Sequence, residues 1–287
     1  MPAPWASAER KPVWWCGRNI PFRAALIREF TLQICVVIPT YNEADNLPKL
    51  IPTLLALPLD LSVLVVDDNS PDGTGFLADE LAASSAGRMS VLHRPGRLGI
   101  SSAYVQGFRL ALKDNVDAVC QMDADFSHDP ATLVIMTKCL ESGDVVFGSR
   151  YTPGGSIDSQ WPIWRKGLST WGNYYARMIL RVPVRDITTG YRLWRSETLR
   201  SIPFGNIQSK GYIFQVEMAY LTHCLEYGIR ETPVHFADRS HGRSKMSLQI
   251  QIEAALRVWQ IWLTHRHLCH KGRAARTGSE FQSSPVR

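Results

Sequence analysis

Along residues 34–150, short apolar and β-branched runs alternate with polar turn formers and with longer stretches of helical spacing. Ile34-Cys35-Val36-Val37-Ile38, closed by Pro39, predicts a buried strand, and a helix is expected from Asn46 to Leu57. Leu61 to Val66 predicts a second strand that ends in Asp67-Asp68-Asn69-Ser70-Pro71-Asp72-Gly73, followed by a helix to about Ala83. Met89 to His93 reads as a third strand and Ser101 to Leu112 as a helix. Ala118 to Met122 is a fourth strand, ending in Asp123-Ala124-Asp125. Asp129 and Pro130 then read as N-cap and first helical residue, and Val145-Val146-Phe147 as a fifth strand. The second half is less regular. Helices are expected over Trp161–Leu180, Tyr212–Glu226 and Ser247–Leu263, and strands over Ile187–Trp194 and Arg230–Phe236.

Strands alternating with helices imply βαβ units, hence an α/β fold with a mainly parallel sheet in a single domain. Ligands of such sheets bind beyond the carboxyl ends of the strands. The polar clusters fall at those ends: Thr40 to Glu43, Asp67-Asp68, Asp123 with Asp125, and Gly148 to Arg150.

Charge sharpens the domain boundaries. The chain of 287 residues carries a net charge of +6. Residues 1–33 hold five Lys/Arg against two Glu, and residues 264–287 hold five Lys/Arg against one Glu, so the middle is close to neutral. The expected division is an N-terminal flexible extension (1–33), a catalytic domain (34–264) and a basic, disordered tail (265–287). Basic ends suit an anionic membrane surface as well as plain solvation. No nucleic-acid motif accompanies the charge, so no nucleic-acid partner is expected. No run of about 18 apolar residues predicts a transmembrane helix. Trp5, Trp14 and Trp15 lie among Pro, Arg and Lys without an apolar core of signal-peptide type. None of the six cysteines pairs at metal-ligand spacing, which reads as a reduced, cytosolic chain.

Asp123 and Asp125, one residue apart at a strand end, can converge on a hard cation such as Mg²⁺ or Mn²⁺, which takes one or two carboxylates plus substrate phosphates. Asp67-Asp68 fits either an Asx turn or a carboxylate facing a nucleobase or ribose. Arg150, Arg165, Arg239 and Lys245 form a cationic set. Asp238 to Met246 is a basic loop containing Gly242, suited to phosphates. Ile252, Leu256, Trp259 and Leu263 share one helical face, with Arg257, Arg266 and Lys271 nearby. That face either lies in a bilayer interface or packs on the domain.

Six motifs then occur in order: Val36 to Glu43, Val65 to Thr74, Met122-Asp123-Ala124-Asp125-Phe126-Ser127-His128, Gly148 to Tyr151, Thr189-Gly190-Tyr191-Arg192 and Lys210 to Met218. Together they resemble the dolichol-phosphate (polyprenol-phosphate) mannose synthases, inverting glycosyltransferases of the GT-A fold, over about residues 34–264. The resemblance implies transfer of mannose from GDP-mannose to a polyprenyl phosphate. A sibling enzyme that uses a UDP-sugar and a non-catalytic nucleotide-sugar binding module are the alternatives. It implies that Pro39, Tyr41, Glu43, Val66 and Asp68 hold the nucleotide. Asp123 and Asp125 would serve the metal and diphosphate, with Ala124 beside the donor. Arg150, Arg239 and Lys245 would surround the phosphates, so that Asp125, Arg150, Arg239 and Lys245 carry catalysis. Arg165 matches an arginine linked to the acceptor phosphate. Ser127 stands where some members place a metal-binding Gln. The enzyme is expected on the cytoplasmic face of a membrane, held there peripherally or through a membrane-protein partner.

Overall fold

A computed structural model describes residues 32–237 and 255–269. The residues 1–31, 238–254 and 270–287 lie outside that description. With them lie most of the two end segments and the expected phosphate loop, including Arg239 and Lys245.

Seven strands form the main sheet: β1 (Ile34–Thr40), β2 (Leu61–Asp67), β3 (Met89–His93), β4 (Ala118–Gln121), β5 (Val145–Ser149), β7 (Arg192–Arg195) and β8 (Ile229–Pro233), in the order β3-β2-β1-β4-β7-β5-β8. A short parallel pair, β6 (Ser156–Ile157) with β9 (His235–Phe236), stands apart. The helices are α1 (Leu47–Leu55), α2 (Thr74–Ser84), α3 (Ile100–Ala111), α4 (Thr132–Leu140), α5 (Ile163–Leu180), α6 (Ser196–Ser201) and α7 (Ile213–Cys224). Residues 255–269 are also helical.

The continuous apolar runs have a direct cause. Alternate residues of one strand enter opposite cores. Ile34, Val36 and Ile38 pack with Leu47, Leu50, Ile51 and Leu54 of α1 and with Leu133 and Met136 of α4. Cys35 and Val37 pack on the other face with Tyr104 and Phe108 of α3, Phe214 and Met218 of α7, and Val258 and Ile261 of the C-terminal helix. Both faces are covered, so the strands carry no polar alternation.

The mainly parallel sheet is as expected, and one strand departs from it. β7 runs antiparallel to both β4 and β5. It is also shorter than the predicted strand over Ile187–Trp194, because the residues before Arg192 form a loop. An antiparallel strand starts where its parallel neighbours end, so that loop lies at the same edge as the other polar clusters. The strand order reverses at β1 and β4, which is where α/β sheets open a crevice.

Other boundaries shift for local reasons. Pro162 is the N-cap of α5, so that helix begins at Ile163 rather than Trp161. Ala131, not Asp129, is the N-cap of α4, which starts at Thr132, and Asp129 instead accepts from the Ala131 N–H in the turn before it. Cys224 and Cys269 are joined in a disulfide, which corrects the expectation of a fully reduced chain, while Cys35, Cys120 and Cys139 are buried and form no disulfide. The C-terminal helix turns a different face inward than the one singled out by sequence. Val258, Ile261 and His265 are buried, whereas Leu256, Trp259 and Leu263 are exposed. Among the described residues no helix is long and apolar enough to cross a membrane.

Gly107 marks where α3 crosses the sheet. A Cβ there would run into Val37 Cγ1 and stand 3.1 Å from Val66 Cγ2. Gly107→Val is expected to overpack this crossing and lower stability by about 2–3 kcal/mol. Urea unfolding should show a lower midpoint at unchanged slope.

Candidate active site

Four loops at the carboxyl edge are laced into one floor. The β1–α1 and β2–α2 loops are joined by three bonds. The Asn42 N–H donates to Ser70 Oγ (3.1 Å), the Glu43 N–H to Thr74 Oγ1 (2.9 Å) and the Ala44 N–H to Asp72 Oδ2 (3.2 Å). Asn42 and Asn69 turn these loops in the left-handed region, which Asn tolerates. Asp67 serves the turn: Thr40 Oγ1 and Ser70 Oγ both donate to its Oδ1. Asp68 does something else. Arg94 Nη1 donates to Asp68 Oδ1 and the Gly99 N–H to Asp68 Oδ2 (2.8 Å). Asp68 thereby ties the β2 end to the start of α3, and Gly99 supplies the positive φ (92°) that this approach requires. Arg97 reaches back to lie 4.2 Å above the Tyr41 ring. Pro39 and Val66 are opposed in the β1–β2 register directly beneath.

The β4 end carries the acidic loop. Asp123, Ala124, Asp125 and Ser127 follow the strand, and Phe126 adopts φ 59°, an unusual conformation for a bulky residue. The Ser127 N–H donates to Asp125 Oδ1 (3.1 Å). Ser127 is 1% exposed, and its hydroxyl oxygen has no partner among the described residues. Asp123 is held twice: Tyr104 Oη donates to its Oδ1 (2.8 Å), and its own N–H donates to His128 Nδ1 (3.1 Å). Burial, and then the Asp123 charge, push the Tyr104 hydroxyl well above its usual range, so it stays a donor. Burial likewise pulls His128 below the ordinary imidazole value, and the ring is neutral at pH 7.

Arg150 follows β5. Sequence placed it in a cationic set around the phosphates, and the β7 loop adds a counter-charge that was not foreseen. Arg150 Nε donates to Asp186 Oδ2 (2.7 Å), and Nη2 donates to Asp186 Oδ1 (2.8 Å) and Thr188 Oγ1 (2.6 Å). Burial pushes the Asp186 carboxyl up, but the Arg150 guanidinium and its bonds outweigh this and hold it below the ordinary carboxylate range. Arg192, fully buried on the Phe147 ring, donates to the carbonyls of Ile187 and Gln215 and fixes this loop. Desolvation pulls its guanidinium down to about 9. Arg165 stacks 3.6 Å above Trp161, which meets Phe236 edge-on, and Phe236 touches both His128 and Arg150. Ring contacts thus connect Arg165 to the β4 and β5 loops.

Sequence reasoning missed Arg94, Gly99, Tyr104 and Asp186 as parts of the site. Tyr104 reads as a core aromatic at helical spacing, and Asp186 falls just before the strand expected from Ile187. His128, Gly190 and Arg192 lay inside quoted motifs without a role.

Residues 35–202 match the family described as Glycosyl transferase family 2. The chain belongs to this family. Two relatives place it further. An undecaprenyl-phosphate mannosyltransferase of Micrococcus luteus is 43% identical over 82% of this chain and 96% of its own length. A polyprenol monophosphomannose synthase of Mycolicibacterium smegmatis is 41% identical over 79% of this chain and 86% of its own. This glycosyltransferase therefore falls in the polyprenol-phosphate mannose synthase group. The fold is shared with a glucosyl-3-phosphoglycerate synthase from Mycobacterium tuberculosis, solved with Mn²⁺, UDP-glucose and glycerol 3-phosphate. That structure has a TM-score of 0.56 at 19% identity, covering 83% of this chain and 80% of that one.

Asp186→Asn would leave Arg150 charged and buried without its partner. A loss of about 3–5 kcal/mol at pH 7 is expected by urea unfolding. The native Asp186 value is depressed, so its stabilising contribution is present above the unfolded value of about 4 and fades as pH falls below it. The gap between wild type and variant should narrow in that acid range.

Proposed function

We propose that this enzyme transfers mannose from GDP-mannose to a polyprenyl phosphate, inverting the anomeric centre. The observation that carries the reading is the match at more than 40% identity, along about four-fifths of the chain, to two enzymes named for mannosyl transfer to such lipids. The acidic loop supports it. Asp123, Asp125 and Ser127 would hold Mg²⁺ or Mn²⁺. Such a cation is commonly held by one or two carboxylates and completed by substrate phosphates. The orphaned Ser127 hydroxyl fits the same use. The cation would neutralise charge on the departing diphosphate.

The chain's own residues position and screen. Tyr41, Glu43 and Asp68 line the nucleotide side over Pro39 and Val66, with Ala124 beside the donor. Arg150 offers the acceptor phosphate a guanidinium already fixed by Asp186, and Arg165 stands beyond Trp161. Arg239 and Lys245 would add positive charge around the phosphates. The nucleophile is a phosphate monoester whose second pKa is about 6, so it arrives ionised and needs no dedicated base. Positioning and electrostatics then suffice.

An acceptor dissolved in a bilayer requires the enzyme to reach the lipid surface. The outer face of α5 exposes Ile163, Trp164, Trp171, Tyr174 and Met178, with Ile163 at 88% and Trp164 at 66%. The C-terminal helix exposes Leu256, Trp259 and Leu263 beside it. Trp259 Nε1 donates to Tyr175 Oη (3.0 Å) and Trp171 stacks on Tyr175, so the two rows adjoin. Arg181 and Arg266, both exposed, suit anionic headgroups. We place the enzyme peripherally on the cytoplasmic face through this surface.

Purified protein given Mg²⁺, a short-chain polyprenyl phosphate and either GDP-mannose or UDP-glucose should form lipid-linked mannose from the former alone. EDTA and Asp125→Ala should each reduce turnover at least 100-fold. Transfer from UDP-glucose instead would overturn the donor assignment, and near-normal turnover in the variant would overturn the metal site. In flotation with vesicles containing anionic lipid, the wild type should float. A folded Trp164→Ala/Trp171→Ala/Trp259→Ala variant should stay at the bottom; equal flotation would discard this surface and point to another anchor.

A further inference from the structure

We infer that Tyr104 and His128 are positioning residues that set the coordination geometry of Asp123, leaving it one oxygen for a metal. The inference rests on the reading of Asp123 as a metal ligand.

Three observations converge on this carboxylate. Its Oδ1 is occupied by the hydroxyl of Tyr104, which comes from α3 rather than from the acidic loop. That ring cannot easily drift, because it is fully buried and stacked on Phe108 (5.6 Å between centroids) and Phe214 (6.1 Å). The backbone of the same residue is anchored separately. Its N–H donates to His128 Nδ1, and the His128 ring stacks on Tyr191 at 4.9 Å with the edge of Phe236 against it. The bond also fixes the tautomer: a nitrogen that accepts from a backbone N–H carries no proton, so Nε2 does. Finally, the space beside Oδ2 is held open by a missing side chain. A Cβ on Gly190 would stand 3.4 Å from Asp123 Oδ2 and 3.5 Å from His128 Cε1.

With one lone pair of Oδ1 engaged by Tyr104 and the backbone anchored, Asp123 presents Oδ2 as its open oxygen in a fixed direction. That is what a small octahedral cation at about 2.0–2.1 Å demands, whereas larger Ca²⁺ readily takes both oxygens of a carboxylate. Partners of ligands commonly affect metal affinity by about 10–100-fold when removed.

The test measures Mn²⁺ affinity of the full-length protein in the presence of GDP, by electron paramagnetic resonance of free Mn²⁺, beside the Mn²⁺ dependence of transfer. Tyr104→Phe and His128→Gln are each expected to weaken Mn²⁺ at least about 10-fold. They should raise the Mn²⁺ concentration needed for half-maximal rate while leaving kcat at saturating Mn²⁺ within a few-fold. His128→Asn, whose amide oxygen stands where Nδ1 was and can still accept from Asp123, should recover affinity to within a few-fold of wild type. Thermal unfolding confirms that each variant is folded. If Tyr104→Phe and His128→Gln bind Mn²⁺ like wild type while Asp123→Ala does not, the positioning roles are wrong and the ligand assignment stands. His128→Asn binding as weakly as His128→Gln overturns the role of His128. If Asp123→Ala also binds normally, the ligand assignment itself falls, and the inference with it.

Discussion

The sheet is covered on both faces, and that constraint determines where polar atoms can go. Central strands such as β1 and β2 offer apolar side chains to both cores, so charged groups collect at the strand ends. There they are still largely buried, and a buried charge is tolerated only when it is paired and hydrogen-bonded. The carboxyl edge meets this demand residue by residue. Asp68 takes Arg94 and the Gly99 N–H, Asp186 takes Arg150 and Thr188, and Glu231 takes the backbone N–H groups of Arg185 and Asp186. The carboxylates of the site are therefore paired, while the Ser127 hydroxyl, like Arg94 Nε, Ser149 Oγ and part of the Arg192 guanidinium, is buried without a partner among the described residues.

Two elements give that edge its rigidity. The first turns of α3 reach both sides of the crevice: the Gly99 N–H holds Asp68, and Tyr104, little more than a turn later, holds Asp123. Any tilt of α3 would move the expected nucleotide and metal residues together. The second element is antiparallel β7. By inserting between β4 and β5 it delivers Asp186, Thr188 and Gly190 to the edge, which a parallel strand at that place could not do. Arg192 then sacrifices full hydrogen bonding of its guanidinium to pin the loop beneath.

The parallel half of the fold was legible in the sequence because its signal is local. An apolar β-branched run followed by Asp, Asn, Ser or Gly is both a buried strand and its end, and the acidic pairs were found in this way. The antiparallel strand was not legible, since Ile187 to Trp194 has the composition of one longer strand and only tertiary contacts with Arg150, Asn173 and Arg192 hold its first half in a loop. The partners of the site were missed for a related reason. Tyr104 and Asp186 act across long sequence separations, and neither residue type announces a partner it meets only after folding. The C-terminal helix shows a further limit: Leu256, Trp259 and Leu263 form an apolar face by spacing, yet Val258 and Ile261 face the core, because the stripe that packs is chosen by the surface it meets.

That choice bears on how a lipid acceptor could be used. With the inward stripe satisfying the core, the outward aromatic row of the C-terminal helix and that of α5 meet at Tyr175 and leave about half of the Trp171 and Trp259 surface exposed. Large exposed aromatics are costly to leave in water and suit the boundary between headgroups and acyl chains. The α5 row also begins at the site. Ile163 and Trp164 follow Trp161 after Pro162, and the Trp161 ring lies between Arg165 and Phe236, which reaches Arg150 and His128. A phosphate at the end of a chain buried in a bilayer can travel only as far as its headgroup region. An enzyme built for it must bring its cations to that depth rather than draw the lipid out. In the proposed reading, a row of interfacial aromatics ending on stacked and paired arginines does this with the fold already present. Moving the row away from Trp161 would separate membrane binding from catalysis even if each survived alone.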